Sequence, residues 1–348
     1  MKILVFSPLE LPWSVGARYS GLERLAVSFA EEWAKLGHEV SIIAHKDTNI
    51  SPSVTLLPCD GYETIIRPDH AEMHAFSQYQ SEVYKYDVVW DISHLHLIAR
   101  FMANRPIANV FSANPEYEAR ANHTKAPYNL ISWSKWGVGQ IRRWYHQESR
   151  YQETIMVDPS IYKPNGPRSN RLLTLGRMAL EKGNLNAAIL CQAQAWPLDI
   201  AGGRGSDHLA GSILTEYEKQ VMAVCDGKIL VFHGEVSEEE KIKLLQTCKA
   251  LIYITDHVEI TSHKVQEAML CGTPVIIPNS GGMLEIVTDG VDGFLCRSQD
   301  EVIKAVSKLG ELDPSKTRQS LVNKYSPEIV AANYVKLFEK IANGERWK

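Results

Sequence analysis

The sequence predicts an α/β protein built from two doubly wound domains, each a parallel sheet with helices on both faces. Three observations carry that expectation. Short apolar runs alternate with helical patterns along nearly the whole chain, the runs fall into two series, and one polar, proline-rich break separates the series. At 348 residues the chain exceeds one average domain and allows each of two to bury its own core.

Strands covered on both faces read as unbroken Val, Ile and Leu stretches, because no side of them meets water. The first series is ILVFS at 3–7, VSIIA at 40–44, DVVW at 87–90 and IANVF at 107–111. The second is RLLTLG, PLDIAG, ILVFHG, ALIYIT and TPVIIP. Between them lies VDPSIYKPNGPRSNR, residues 157–171, whose prolines and glycine interrupt both periodicities before a new strand begins at Leu172. The expected domains are therefore 1–160 and 161–326, with 327–348 as a terminal helix carrying Val330, Tyr334, Leu337, Phe338 and Ile341 on one stripe. A cleft between two such sheets is the default place for a ligand, since the carboxyl ends of both can face it.

Hydrophobic residues make up 45% and charged residues 22% of the chain, the balance of a soluble globular protein. A formal net charge of -4 supplies no basic field, which argues against a nucleic-acid partner. The six cysteines stand singly, without CxxC pairs or Cys/His metal spacing, so neither a metal site nor a disulfide scaffold is expected. No apolar run reaches the ~18 residues of a membrane span. The expectation is a cytoplasmic protein, with peripheral contact to a membrane left open.

Four stretches carry chemistry. In SGLER, Ser20 and Glu23 have the spacing of a capping box, Leu22, Leu25, Ala26, Phe29 and Trp33 share one helical face, and Gly37 ends the helix. That is a well-capped helix on its plainest reading; on the functional one, Gly21 lets backbone approach an anion at the positive end of the helix. In LLTLGRMALEKG, Arg177 and Lys182 follow a strand at the carboxyl edge of the sheet, where two cations suit a diphosphate or are simply solvated. LDIAGGRGSDH places Gly203 in a glycine-rich turn that matches neither GxGxxG nor GxxxxGK[ST], and Gly234 makes a further turn after ILVFHG.

The fourth stretch, DHVEITSHKVQEAMLCGTPVI, holds Glu259 and Glu267. Within one continuous helix, eight residues turn through about 800°, which leaves the two side chains about 80° apart. The helix is expected to begin near Thr261 or Ser262, with Glu259 in the loop before it, so the two acids could converge on hydroxyls of one ligand while helix-start amides address phosphate. Incidental surface acids are the plain alternative. A separate segment, residues 122–151, interleaves Trp133, Trp136, Trp144 and Tyr145 with Lys135, Arg142 and Arg143. It reads as a packed helix with a snorkelling polar face, or as a surface for a sugar or an anionic bilayer.

Together SGLER, LGHEV, LGRMALEKG, FHGEVSEEE, the glutamates Glu259 and Glu267 ahead of AMLCGTPVI, and SGGMLEIVTDGVDGFL resemble the retaining glycosyltransferases of GT-B fold, family 4, also called glycosyl transferases group 1. The resemblance covers most of the C-terminal half and the opening of the N-terminal half. It implies transfer of a hexose from a nucleotide diphosphate sugar, such as a UDP-sugar, to a hydroxyl acceptor that is a glycan, a lipid-linked molecule or a small molecule. It implies no cofactor beyond that donor substrate and no metal. Arg177 and Lys182 would hold the diphosphate, Glu267 the ribose hydroxyls, Glu259 the transferred sugar, and Gly21 would approach the phosphates. The last helix would cross back to the N-terminal domain, which in this family carries the acceptor site.

Three departures stand out. The family's Glu-x-Phe-Gly is here Glu259 followed by Ile260, Thr261 and Ser262, so His263 or Lys264 is the replacement donor to phosphate. The family's cleft histidine is absent from NVFSANPEYE, where Ser112 stands instead, which leaves His94 or His96 of WDISHLH as substitutes near Asp91. The loop between Pro8 and Ser20 is longer than usual. A catalytically silent nucleotide-sugar binding subunit and a sugar-nucleotide epimerase are the rival readings, and the oligomeric state is open.

Overall fold

The computed structural model describes residues 1–9, 11–14, 21–60, 68–102, 104–111, 128–154, 156–203 and 215–347. They form two compact units, Met1–Met156 with Pro327–Lys348, and Val157–Ser326. Ser20 of the expected capping box and Ser112 lie outside the described residues.

In the first unit the strands are β1 (Lys2–Phe6), β2 (Glu39–His45), β3 (Val54–Cys59), β4 (Val88–Asp91), β5 (Ile107–Phe111), β6 (Leu130–Ser132) and β7 (Ser149–Tyr151). They make one parallel sheet in the order β3-β2-β1-β4-β5-β6-β7. The second unit has β8 (Leu172–Leu175), β9 (Leu198–Ala201), β10 (Leu230–Gly234), β11 (Ala250–Ile252), β12 (Val275–Pro278) and β13 (Phe294–Cys296), again all parallel, in the order β10-β9-β8-β11-β12-β13. Each sheet grows outward in one direction and then resumes on the other side of its first strand. The direction reverses between β1 and β4 in one unit and between β8 and β11 in the other, and the crevice outside the carboxyl ends at such a point is where open α/β sheets bind ligands.

The apolar runs are buried as their unbroken patterning requires: Ile3 to Phe6, Val88 to Trp90, Leu172 and Leu173, and Val275 and Ile276 are all closed to solvent. The first helix, Gly21–Lys35, buries Leu25, Ala26, Phe29 and Trp33 and leaves Leu22 half-buried. Gly37, at φ +88°, turns the chain out of it while the amides of Gly37 and His38 reach back to Ala34 and Trp33. The last helix, Pro327–Ala342, packs on the first: Phe29, Trp33, Trp90, Tyr334 and Phe338 form one cluster of rings, and Trp33 Nε1 donates to Ala331 O at 3.2 Å.

Two differences from the sequence expectation have simple causes. The run ALIYIT stops being a strand at Ile252, because pairing with β8 and β12 covers only its first residues, after which Tyr253 and Ile254 are buried or half-buried in the loop. Strands β3, β6, β7 and β13 carry no apolar run of recognisable length; three of them have three residues each. The aromatic and basic segment is β6, a helix Lys135–Tyr145 capped by the Ser134 hydroxyl on Gly137 N, and β7. Among the described residues no helix is long and apolar enough to cross a membrane.

Candidate active site

The second unit assembles its site from the loops that leave β8, β9 and β11. Their close approach depends on glycine at two positions. Gly183 sits at φ +64°, and a Cβ there would fall 1.8 Å from Ile254 O; Gly202 sits at φ +149°, and its Cβ would fall 1.9 Å from Gly176 O. No other residue fits either place. Hydrogen bonds then lock the loops: Met178 N donates to Gly203 O at 2.8 Å, Gly202 N to Gly234 O at 2.8 Å, and Thr255 Oγ1 to Glu181 O at 2.7 Å. Asn184, wholly buried, holds the first loop from beneath through Nδ2 to Arg177 O at 2.9 Å.

Across this frame Lys182 Nζ meets Glu259 Oε1 at 2.7 Å, and the Tyr253 hydroxyl donates to the same oxygen. Burial pushes the Glu259 carboxyl up, but Lys182 and Lys264 beside it, with the hydrogen bonds from Lys182 and Tyr253, hold it below the ordinary carboxylate range. Burial and that carboxylate push the Tyr253 phenol up, so it keeps its proton and remains a donor. Gly282 N fixes the backbone of the loop by donating to Glu259 O at 2.9 Å. Arg177, in the loop after β8, is bonded to Glu181.

The helix that follows runs His263–Leu270, with Ser262 at its N-cap, as the spacing predicts. The Ser262 side chain makes no capping hydrogen bond to the first turn. Glu267 is buried on this helix, and its Oε1 accepts from Tyr162 OH and from Lys241 Nζ, both at 2.9 Å. Glu259 lies in the loop and Glu267 in the helix, but each is held by its own set of partners. Lys241 also pairs with Glu238 at 2.9 Å, so Glu267 belongs to a network reaching the helix Glu238–Thr247.

The remaining predicted positions are placed as follows. Lys264 turns its Nζ over the Tyr253 ring, 3.3 Å from the centroid. His263 precedes it, half-buried. Gly203 backs onto Glu235, whose Cδ lies 2.8 Å from where a Cβ would stand, and Gly234 turns the end of β10 at φ +67°. Gly21 opens its helix with nothing among the described residues within 4 Å of a Cβ, so their packing does not demand glycine there.

His94 and His96 belong to the first unit, after β4. His94 is exposed, and its amide and that of Leu95 donate to the two oxygens of the buried Glu72 at 2.8 Å each. His96, not His94, faces Asp91: its Nδ1 is 3.5 Å from Asp91 Oδ1, on a backbone at φ +48°. The Asp91 oxygen also accepts from Ser93 N at 3.0 Å and Ser93 Oγ at 2.6 Å. Tyr162, Lys241, Asn184 and Tyr253 carry no local sequence signal that marks them. Burial raises the thiols of Cys59, Cys191, Cys248, Cys271 and Cys296 to about 12, which makes them poor nucleophiles.

With this geometry in view, comparison with known proteins is decisive for the second unit. Residues 163–325 match the family described as Glycosyl transferases group 1. This stretch is a glycosyl transferases group 1 domain. Among curated relatives, the alpha-1,3/1,6-mannosyltransferase ALG2 of Homo sapiens is 32% identical over 135 residues, 37% of this chain and 30% of that protein. The chain spans under a third of the length of the curated relatives it matches, 31% and 30% for the first two.

Beyond the group 1 domain, likeness in structure extends over the chain. Sucrose-phosphate synthase from Thermosynechococcus elongatus superposes with a TM-score of 0.77 at 16% identity, covering 99% of this chain and 100% of that one. Anabaena HepE, solved in complex with UDP-glucose, gives 0.72 at 16% identity over 98% and 100%. At such identities the likeness establishes the fold, GT-B, in which the group 1 domain is the second of two α/β units.

Proposed function

We propose that the chain is a retaining glycosyltransferase that moves a hexose from a nucleotide diphosphate sugar to a hydroxyl acceptor. One observation carries the reading: the Lys182–Glu259 pair, with Lys264 beside it and Arg177 in the same loop after β8, stands at the carboxyl ends of β8 and β11, where the strand order of the group 1 domain reverses. Cations there serve a pyrophosphate, and a carboxylate among them serves a sugar hydroxyl. The names of the relatives, a mannosyltransferase and a sucrose-phosphate synthase, and the UDP-glucose bound by HepE agree with that chemistry.

In this reading Arg177 and Lys182 exchange Glu181 and Glu259 for the donor's phosphate oxygens. As the C1–O bond to the diphosphate breaks, they meet the charge that develops on the leaving oxygen, an electrostatic role that needs no proton from the protein. The acceptor oxygen forms the new bond to C1 on the same face, and its proton passes to the departing phosphate. Glu259 orients the sugar, Glu267 the ribose, Gly21 admits phosphate from its helix start, and His94 or His96 serves a donor hydroxyl.

The test is to incubate the protein with UDP-, GDP- and ADP-sugars and measure release of nucleoside diphosphate. Slow release without acceptor, accelerated by one member of an acceptor panel, supports the proposal. Tight binding with no turnover across the panel sinks it in favour of a binding subunit, and an epimeric sugar nucleotide among the products replaces it with an epimerase.

A further inference from the structure

Lys264 lies in the first turn of the helix His263–Leu270. Among the described residues its Nζ is closed to solvent and has no hydrogen-bond partner. A Lys ammonium has three N–H groups to satisfy, and leaving them unmet in a dry place is costly. The Tyr253 ring lies beneath it, with Nζ 3.3 Å from the centroid. Beside it is the space over Gly176, where a Cβ would come within 3.3 Å of Lys264 Nζ and 3.8 Å of Lys182 Cβ. An absent side chain at Gly176 therefore leaves room between two lysines.

That room is also next to the start of the helix His263–Leu270, whose N-cap residue Ser262 makes no side-chain cap. A helix start of this kind favours an anion, and the unbonded amine in its first turn is independent support for a ligand. The charged groups that act on the amine are Glu259, from the loop after β11, and Lys182, from the loop after β8. Tyr253 contributes its ring and a phenol that stays protonated. His257, which feels the same two charges, is lowered by burial.

Building on the function proposed above, we infer that Lys264 is a further ligand to the donor's diphosphate: its Nζ, without a hydrogen-bond partner among the described residues, takes phosphate oxygens as acceptors in the room over Gly176 and gains a proton as they arrive. The amine then gains the acceptors it lacks, and the neutral form avoids a fully charged buried lysine while the site waits. Burial lowers Lys264 to about 7, outweighing the opposite pull of Glu259 and aided by Lys182. A diphosphate bearing two negative charges reverses that balance. The diphosphate of a nucleotide sugar is itself fully ionised at neutral pH, so the proton comes from solvent and goes to Nζ. Uptake per bound donor grows as pH rises through about 7, and affinity falls over the same range.

Calorimetric titration of the full chain with UDP-, GDP- and ADP-glucose, at pH 7.5 in Pipes and in Tris, measures the uptake from the dependence of binding heat on buffer ionisation. The expected result is net proton uptake for whichever donor binds, no uptake and about tenfold weaker binding at pH 6.5 for Lys264→Met, and retained binding without uptake for Lys264→Arg. Binding by the unaltered protein with no proton exchange overturns the inference and leaves the proposed donor site standing. Uptake that persists in Lys264→Met assigns it to another group, such as His257, and overturns it equally. Failure of all three sugars to bind removes the donor site itself, and this inference with it.

Discussion

Lys182 and Glu259 are 77 residues apart in the chain and 2.7 Å apart in the fold, so neither can change without leaving the other in a poorly solvated place. Lys182→Ala is expected to cost about 3 kcal/mol of stability in the second unit, read by urea unfolding, and to lower kcat about 100-fold in the nucleotide-release assay. A variant with unchanged turnover removes Lys182 from the reaction. Glu267 makes a different demand. Glu267→Ala takes one acceptor from Tyr162 and from Lys241, and is expected to weaken nucleotide binding by about 1–3 kcal/mol through the lost ribose contact. Glu267→Gln separates the two effects, since it keeps an acceptor for Tyr162; calorimetry on both variants checks this. At this scale the sequence shows where the two acids stand, one in a loop and the other in a helix. Their partners are invisible in it, because Tyr162 and Lys241 lie 105 and 26 positions away from Glu267.

Between elements, what holds the site is backbone packed on backbone. The start of the helix Asn184–Ala193 presses on the loop after β11, and the loop after β9 presses on the loop after β8. Gly183→Ala puts a methyl carbon against Ile254 O and keeps a left-handed backbone, and is expected to destabilise the second unit by more than about 2 kcal/mol and to abolish donor binding. Gly21→Ala is the contrasting case: with nothing among the described residues within 4 Å of its Cβ, it is expected to leave stability within about 0.5 kcal/mol, so any loss of nucleotide affinity reports the ligand alone. Thermal unfolding beside calorimetry distinguishes the pair. Element order was legible wherever a strand was long and apolar. It was not legible for Ser149–Tyr151, a polar trio whose strand character comes from pairing with β6.

At the scale of the molecule, the second unit bears two groups that make it prefer alkaline conditions. Lys264 sits near 7, below its ordinary 10.5, so between those values the unfolded chain holds more protons and stability rises with pH. Glu259 is held below the ordinary carboxylate value, so its contribution is present above that value and is lost as pH falls into the acid range. Lys264→Met is expected to gain on the order of 4 kcal/mol at neutral pH and to flatten the rise between pH 7 and 10, which thermal melts across that range would show. The first unit depends instead on its far end. Ending the chain at Ser326 removes Tyr334 and Phe338 from the ring cluster and the Trp347 bonds to Asn129 and Leu130, and is expected to unfold Met1–Met156 without altering the melting of Val157–Ser326.

By itself the sequence determined the fold class, because a strand covered on both faces must be written in uninterrupted apolar residues and a helix between strands must carry its stripe and its stops. It also determined the positions of the charged residues at strand ends, since these are local. The tertiary structure alone decided which cation meets which acid, and that among the described residues Lys264 Nζ has no hydrogen-bond partner. Those facts arise where loops from distant strands converge, and such convergence is set by glycine contacts and strand order that no neighbouring residues encode.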